Sequence, residues 1–216
     1  MRFTRFASVA GTLVAASVCG SAAQAASISY YMDQSNTEGT WPDGVNYLQV
    51  TISDSILFPG DIEFLVTPLS SLTSTAGPNF GLQKFGFNTT GAANALTPSG
   101  IIDPVGWTAA VNVTLDGFGE FEISEDTTGQ FRQNPLSFRI TGIAGDTPSD
   151  YAVAGPGGAQ GTYYFAAHVA GMTVGPGSAY FGGNTPVDEN LVPVPAAAWL
   201  LMSALGCLGI ARRRLV

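Results

Sequence analysis

The chain has 216 residues, with 16 Asp and Glu against 8 Lys and Arg, a single histidine, two cysteines and a formal net charge of −8. An acidic balance excludes nucleic acid as a partner, because phosphate recognition needs a basic surface. One histidine is too few for a His-rich transition-metal centre, and Cys19 and Cys207 both fall in terminal hydrophobic stretches, so the region between them has no disulfide framework.

Residues 1–25 carry Arg2 and Arg5, then an apolar run over residues 6–18, then Ala23-Gln24-Ala25. This is the layout of a secretory signal peptide, with cleavage expected after Ala25. Removing it, and a similar length at the other end, leaves roughly 165 residues, within the size of one domain. That exported region holds all 16 acids against Lys84, Arg132 and Arg139, a balance of about −13. Such a surface suits solubility outside the cell and loose association with divalent cations.

Within residues 26–183, Gly, Pro, Thr, Ser and Asn punctuate the chain every 8 to 15 residues, and the runs between them alternate with period two. In residues 47–53, Leu48, Val50 and Ile52 face one way and Gln49, Thr51 and Ser53 the other, which predicts a half-buried strand. Ile62, Phe64 and Val66 oppose Glu63 and Thr67 in the same manner, as Leu136, Phe138 and Ile140 oppose Ser137, Arg139 and Thr141. Further strands are expected over residues 28–32, 80–87, 107–115, 119–124 and 162–169. Eight or nine short strands with no helical segment before the tail predict an all-β chain, a single antiparallel β-sandwich of jelly-roll-like form. Residues 88–103 and 146–160 read as loops, and residues 184–191 as a short linker.

The tail, residues 192–216, is the most distinctive segment. No charged side chain occurs between Glu189 and Arg212, a window of 22 residues. A bilayer core of about 30 Å needs roughly 20 mainly apolar helical residues. Pro193 and Pro195 stand at the start, where a helix tolerates proline, so the membrane-spanning helix is expected over about residues 195–211. Arg212, Arg213 and Arg214 follow as a cytoplasmic stop.

The motif Val192-Pro193-Val194-Pro195-Ala196, the stretch Ala196-Ala197-Ala198-Trp199-Leu200-Leu201 and the arginine cluster together resemble the PEP-CTERM sorting signals of Gram-negative bacteria, in the variant with a VPLPA core. Val194 stands where that variant has Leu. The resemblance is confined to about 25 residues. It implies recognition by an exosortase, a membrane-embedded cysteine protease and transpeptidase that cleaves near the proline motif. The protein would then be that enzyme's substrate, anchored in the inner membrane before processing and at the cell surface or extracellular afterwards. Phrases such as residues 81–88, 116–122 and 165–172 look similar to segments of other exported proteins with this kind of tail, and they carry no catalytic residue.

Chemistry is sparse elsewhere. There is no G-x-S-x-G, H-E-x-x-H or C-x-x-C motif. His168 lies in an expected strand, with Tyr164 and Ala166 on its face; a triad built through it from distant residues is the hydrolase reading. Asp116, Glu120, Glu122, Glu125 and Asp126 form the densest acidic group. Glu120 and Glu122 share a strand face, with Asp116 and the Glu125-Asp126 pair in flanking turns, and Asp116, Glu120 and Glu122 are the calcium candidates. The spacing matches no EF-hand, and a solvated acidic face is the plainer reading; no other cofactor is indicated. Trp41, in the turn-like residues 39–44, is the aromatic expected to be exposed. The leading functional expectation is therefore a non-enzymatic cell-surface or extracellular-matrix protein. A carbohydrate-binding module engaging exopolysaccharide is the first alternative, and a secreted hydrolase with an unrecognised site the second.

Overall fold

The computed structural model describes residues 25–187. The signal-peptide core, the sorting motif, the expected 195–211 helix and the arginine cluster lie outside those residues. Among the described residues no helix is long and apolar enough to cross a membrane.

Among the described residues twelve strands form in chain order: β1 (Ser27–Met32), β2 (Gln34–Ser35), β3 (Leu48–Asp54), β4 (Ile62–Pro68), β5 (Ala76–Phe87), β6 (Ile101–Ile102), β7 (Trp107–Leu115), β8 (Gly119–Thr127), β9 (Leu136–Ile140), β10 (Phe165–Met172), β11 (Ser178–Gly183) and β12 (Thr185–Pro186). One four-residue helix, α1 (Ser70–Thr73), and three 3-10 turns complete the described elements. The strands pair antiparallel in two sheets of six, ordered β12-β1-β3-β4-β9-β6 and β2-β11-β10-β5-β8-β7.

The alternation read from the sequence decides which face is buried. Leu48, Val50, Ile52, Ile62, Phe64, Val66, Leu136, Phe138 and Ile140 are all buried, and they supply the inner face of the first sheet. Leu82, Phe85, Phe87, Ile123, Phe165, Ala167, Val169 and Phe181 answer from the second. The two layers meet through aromatic rings: Phe64 stacks on Phe138 at 4.7 Å and reaches Phe87 at 4.9 Å and Phe85 at 6.2 Å across the interior. Contacts of this kind contribute about 0.5–1.5 kcal/mol per pair beyond the area they bury, and the described residues, which contain no cysteine, have no disulfide to add to them.

Two departures from strict alternation shape the second sheet. In β5, Lys84 faces His168 of β10 while Leu82 faces Val169, so Gln83 is an extra residue between successive pairs. This β-bulge lets Leu82 and Phe85, three apart, both point inward. On the outer face a smaller apolar cluster of Leu115, Phe118, Phe121 and Ala166 lies flat on the sheet. Gly86 and Gly182 make room for it: a Cβ on Gly182 would collide with the Phe118 ring, and one on Gly86 with Phe121.

Several expectations need correction. β10 begins at Phe165, so Tyr164 precedes the strand and packs against the main core instead of sharing a face with His168. β8 runs to Thr127 and carries Glu125 and Asp126 as strand residues. Its pairing with both β5 and β7 extends through these acids and overrides their low intrinsic strand preference. β11 lies beyond the expected strands; pairing with β10 along six residues makes it a strand. Part of the expected linker is also strand, since Thr185 and Pro186 pair with β1. Proline is tolerated there because β12 is an edge.

Candidate functional site

The polar groups of the second sheet divide between its two faces. On the inner face, Glu125 stands on β8 between Phe85 of β5 and Ala109 of β7. Its side chain is fully buried, and neither carboxyl oxygen meets a protein N–H or hydroxyl donor. Asp103, just past β6 on the other sheet, also has a buried Oδ1 without a donor. Two acceptors can bond only if one holds a proton. Burial, then the charge of Asp103 and a hydrogen bond with it, push the Glu125 carboxyl up to about 8. At neutral pH Glu125 is therefore a neutral acid donating to Asp103. The pair links the two sheets close to their β6 and β7 edges.

On the outer face, cross-strand pairing sets Asp126, Lys84, His168 and Tyr180 in a row over β8, β5, β10 and β11. Lys84 Nζ is 2.6 Å from Asp126 Oδ2, and the His168 ring stacks on Tyr180 at 4.5 Å. Burial, and then the positive Arg132 and Lys84, lower the His168 pKa, so the imidazole is neutral at pH 7. Its Nδ1 has no partner among the described residues. A triad needs a carboxylate on that nitrogen to fix the tautomer and stabilise the imidazolium. His168 instead lies near cations that oppose imidazolium formation. Beside Asp126, the residues Gly106, Thr108, Ala110, Thr127 and Thr128 line a shallow depression of about 370 Å³. Thr127 there already donates its hydroxyl to Gly106 O.

The five acids singled out from the sequence do not converge. Asp116 accepts from Asn36 Nδ2 at 3.0 Å, in the turn between β7 and β8. Glu122 accepts from the backbone N–H and hydroxyl of Thr89, at 2.9 and 2.7 Å. Glu120 is exposed, Asp126 pairs with Lys84, and Glu125 is inside. No three acids, cysteines or histidines among the described residues gather closely enough to hold a metal ion.

Trp41 is a second correction. The chain turns tightly, Trp41 N–H bonding back to Thr37 O, and this swings the indole into the core against Tyr47 and Phe181. Only 5% of it is exposed. Trp107 is equally buried, with Nε1 donating to Phe131 O at 2.8 Å. Neither indole offers a flat face to a sugar.

Asp103 escapes a reading of the sequence because it lies 22 positions from Glu125 in a segment read as loop. The one available signal is periodicity: continuing the β8 alternation from Ile123 puts Glu125 on the core face. No protein-family model, curated protein or solved structure matches the chain.

Proposed function

We propose that the protein is an exported, non-enzymatic component of the cell surface or extracellular matrix. Its body, residues 26–183, serves as one jelly-roll-like β-sandwich domain, and its tail acts as an exosortase-type sorting signal. The observation that carries this reading is the tail itself: a Pro-x-Pro motif, an uncharged window of 22 residues and three terminal arginines. A window of that length spans a bilayer with little slack, and the arginines hold its end on the cytoplasmic side. The signal-peptide pattern at the other end gives the matching export route. Two properties of the body agree with a structural role: the only histidine is neutral and its Nδ1 meets no carboxylate among the described residues, and the acids of the cluster are dispersed among separate partners. Burial of Trp41 and Trp107 takes two of the aromatic rings that the sugar-binding alternative would use out of reach of a sugar.

The test is the mature mass and location of the chain in its host. Replacing Pro193 and Pro195 by alanine, or deleting Arg212, Arg213 and Arg214, is expected to leave an unprocessed, membrane-retained form. Identical mature masses for parent and variants would refute the sorting signal.

A further inference from the structure

The loop joining β3 to β4 presents apolar side chains to solvent. Ile56 is 82% exposed, Leu57 80% and Phe58 48%, and Pro59 follows them into the turn. The loop is built to hold them there. Ser55 N–H bonds to Asp61 O, Asp61 N–H to Phe58 O, and the Ser55 hydroxyl accepts from Phe58 N–H while donating to Glu63. The Arg139 guanidinium lies 3.5 Å above the Phe58 ring and pairs with Asp61. Ile56 and Leu57 are left free at the apex, bordering an open depression of about 500 Å³ shared with Ala25, Ser27, Ser53, Asp54 and Glu63.

The N-terminal end of the described chain leaves the body beside this tip, and the C-terminal end heads toward it. Ala26 lies against Asp54, bonding to it through backbone and side chain. Val187 N–H bonds to Ser29 O, and β12 runs antiparallel to β1, heading toward Ser27, which pairs with Ser53 at the base of the tip. Val187 is level with Thr51, so at about 4.8 Å between neighbouring strands and about 3.4 Å per residue it is roughly 12 Å across the sheet and roughly 14 Å along it from the start of the β3–β4 turn at Ser55. Only residues 188–191 separate Val187 from the tail motif, at most about 14 Å of extended chain.

We propose that the Ile56-Leu57-Phe58-Pro59 tip is a second membrane contact, which inserts into the interfacial layer of the bilayer that the tail crosses. The proposal rests on the membrane reading of the tail. With that tail in a bilayer, the four-residue tether confines the body to the surface, and the direction in which β12 leaves the sheet turns the end carrying the tip toward it. The charges around the tip specify the lipid. Asp54, Asp61 and Glu63 lie close by, and the cation beside them, Arg139, is committed to Asp61. Zwitterionic headgroups are therefore preferred over anionic ones, the reverse of a basic amphipathic helix.

The experiment uses the chain from Ala26 to Val216, as signal-peptide cleavage leaves it, in phosphatidylcholine vesicles. One sample carries a fluorophore on native Cys207; a second, with Cys207 replaced by serine, carries it on P59C; a third, with the same replacement, carries it on V45C. Val45 precedes β3 at the opposite end, so it lies about 20 Å from the tip. Quenching by lipids brominated along the acyl chain reports insertion. Quenching at both Cys207 and position 59, but not at position 45, is expected. Ile56→Ser with Leu57→Ser should reduce the quenching constant at position 59 by about ten- to a hundredfold, the loss of two largely exposed aliphatic side chains from an apolar phase. Adding anionic phosphatidylglycerol should weaken it as well. Quenching at Cys207 without quenching at position 59 overturns the tip and leaves the tail reading intact. Absence of quenching at Cys207 overturns both. A label at position 59 shielded from aqueous iodide yet untouched by brominated lipid shows that a protein surface covers the tip, and also overturns the proposal. Far-UV circular dichroism of the serine variant checks the fold, which substitutions at an exposed apex leave unchanged.

Discussion

Replacing Glu125 by glutamine isolates the buried carboxyl pair. In the folded chain this carboxyl titrates near 8, against an ordinary value of 4.5. A group raised in this way stabilises the fold fully below its unfolded pKa, and the contribution is lost as pH rises toward the folded value. Between those limits the folded state holds one proton that the unfolded chain has released, so stability falls by about 1.4 kcal/mol per pH unit. At pH 7 the accumulated loss is roughly 3 kcal/mol, and above pH 8 it levels off near roughly 5 kcal/mol. Glutamine keeps the shape and donates an N–H to Asp103 at every pH, so this slope disappears. The assay is urea unfolding of the full chain in detergent, followed by far-UV circular dichroism, at half-unit steps from pH 5 to 9. The stability of Glu125→Gln minus that of the parent should rise steadily to pH 8 and then flatten. The difference cancels the other acids, which both proteins share. Parallel curves over the whole range would show that Glu125 ionises freely and would refute the neutral-acid assignment.

The packing and the dispersed acids set two further outcomes. Gly182→Val should destabilise the body by about 1–3 kcal/mol, because its side chain must displace the Phe118 ring from the outer face of the second sheet; a melting temperature equal to the parent's would show that the outer cluster is loose. Millimolar calcium should leave the melting temperature unchanged, since Asp116, Glu122 and Asp126 each hold a different partner, and a rise of several degrees would show that Asp116, Glu120 and Glu122 rearrange around an ion.

The first sheet is the more legible of the two, because each of its long strands presents one face to the core and the other to water. Period two is then written directly into Leu48 to Ile52, Ile62 to Val66 and Leu136 to Ile140. The second sheet resists such a reading for physical reasons. Its outer face carries its own apolar cluster, so Ala166 and Phe121 are as buried as core residues. The Gln83 bulge shifts the parity of β5 midway. β11 ends in two buried glycines that look like a turn until the Phe118 ring is seen above one of them. For the polar groups, composition exposes the acidic cluster but not its dispersal, which depends on distant partners: Asn36 is 80 positions from Asp116, and Thr89 is 33 from Glu122. Trp41 misleads because Gly, Pro and Asp around it signal a turn correctly, while saying nothing about which way the indole points.

On the proposed reading, tail and tip together would govern the fate of the body after processing. In the proposed scheme, cleavage near Pro193 and Pro195 removes the membrane-spanning segment and leaves a body whose only remaining apolar attachment is the β3–β4 apex. Two aliphatic side chains and part of a phenyl ring are a weak anchor; a single myristoyl chain already gives only marginal, reversible binding. Before cleavage, the short tether keeps the tip at high effective concentration against the bilayer, so a weak contact suffices to orient the body. That orientation holds the proline motif close to the membrane plane, where a membrane-embedded protease must meet it. Once the tether is cut, the same contact becomes bimolecular and dissociates readily. Substitution of Ile56 and Leu57 should therefore slow processing of the tethered chain while having little effect on how much of the processed body is released, a division that a permanent lipid anchor or a purely structural loop would not produce.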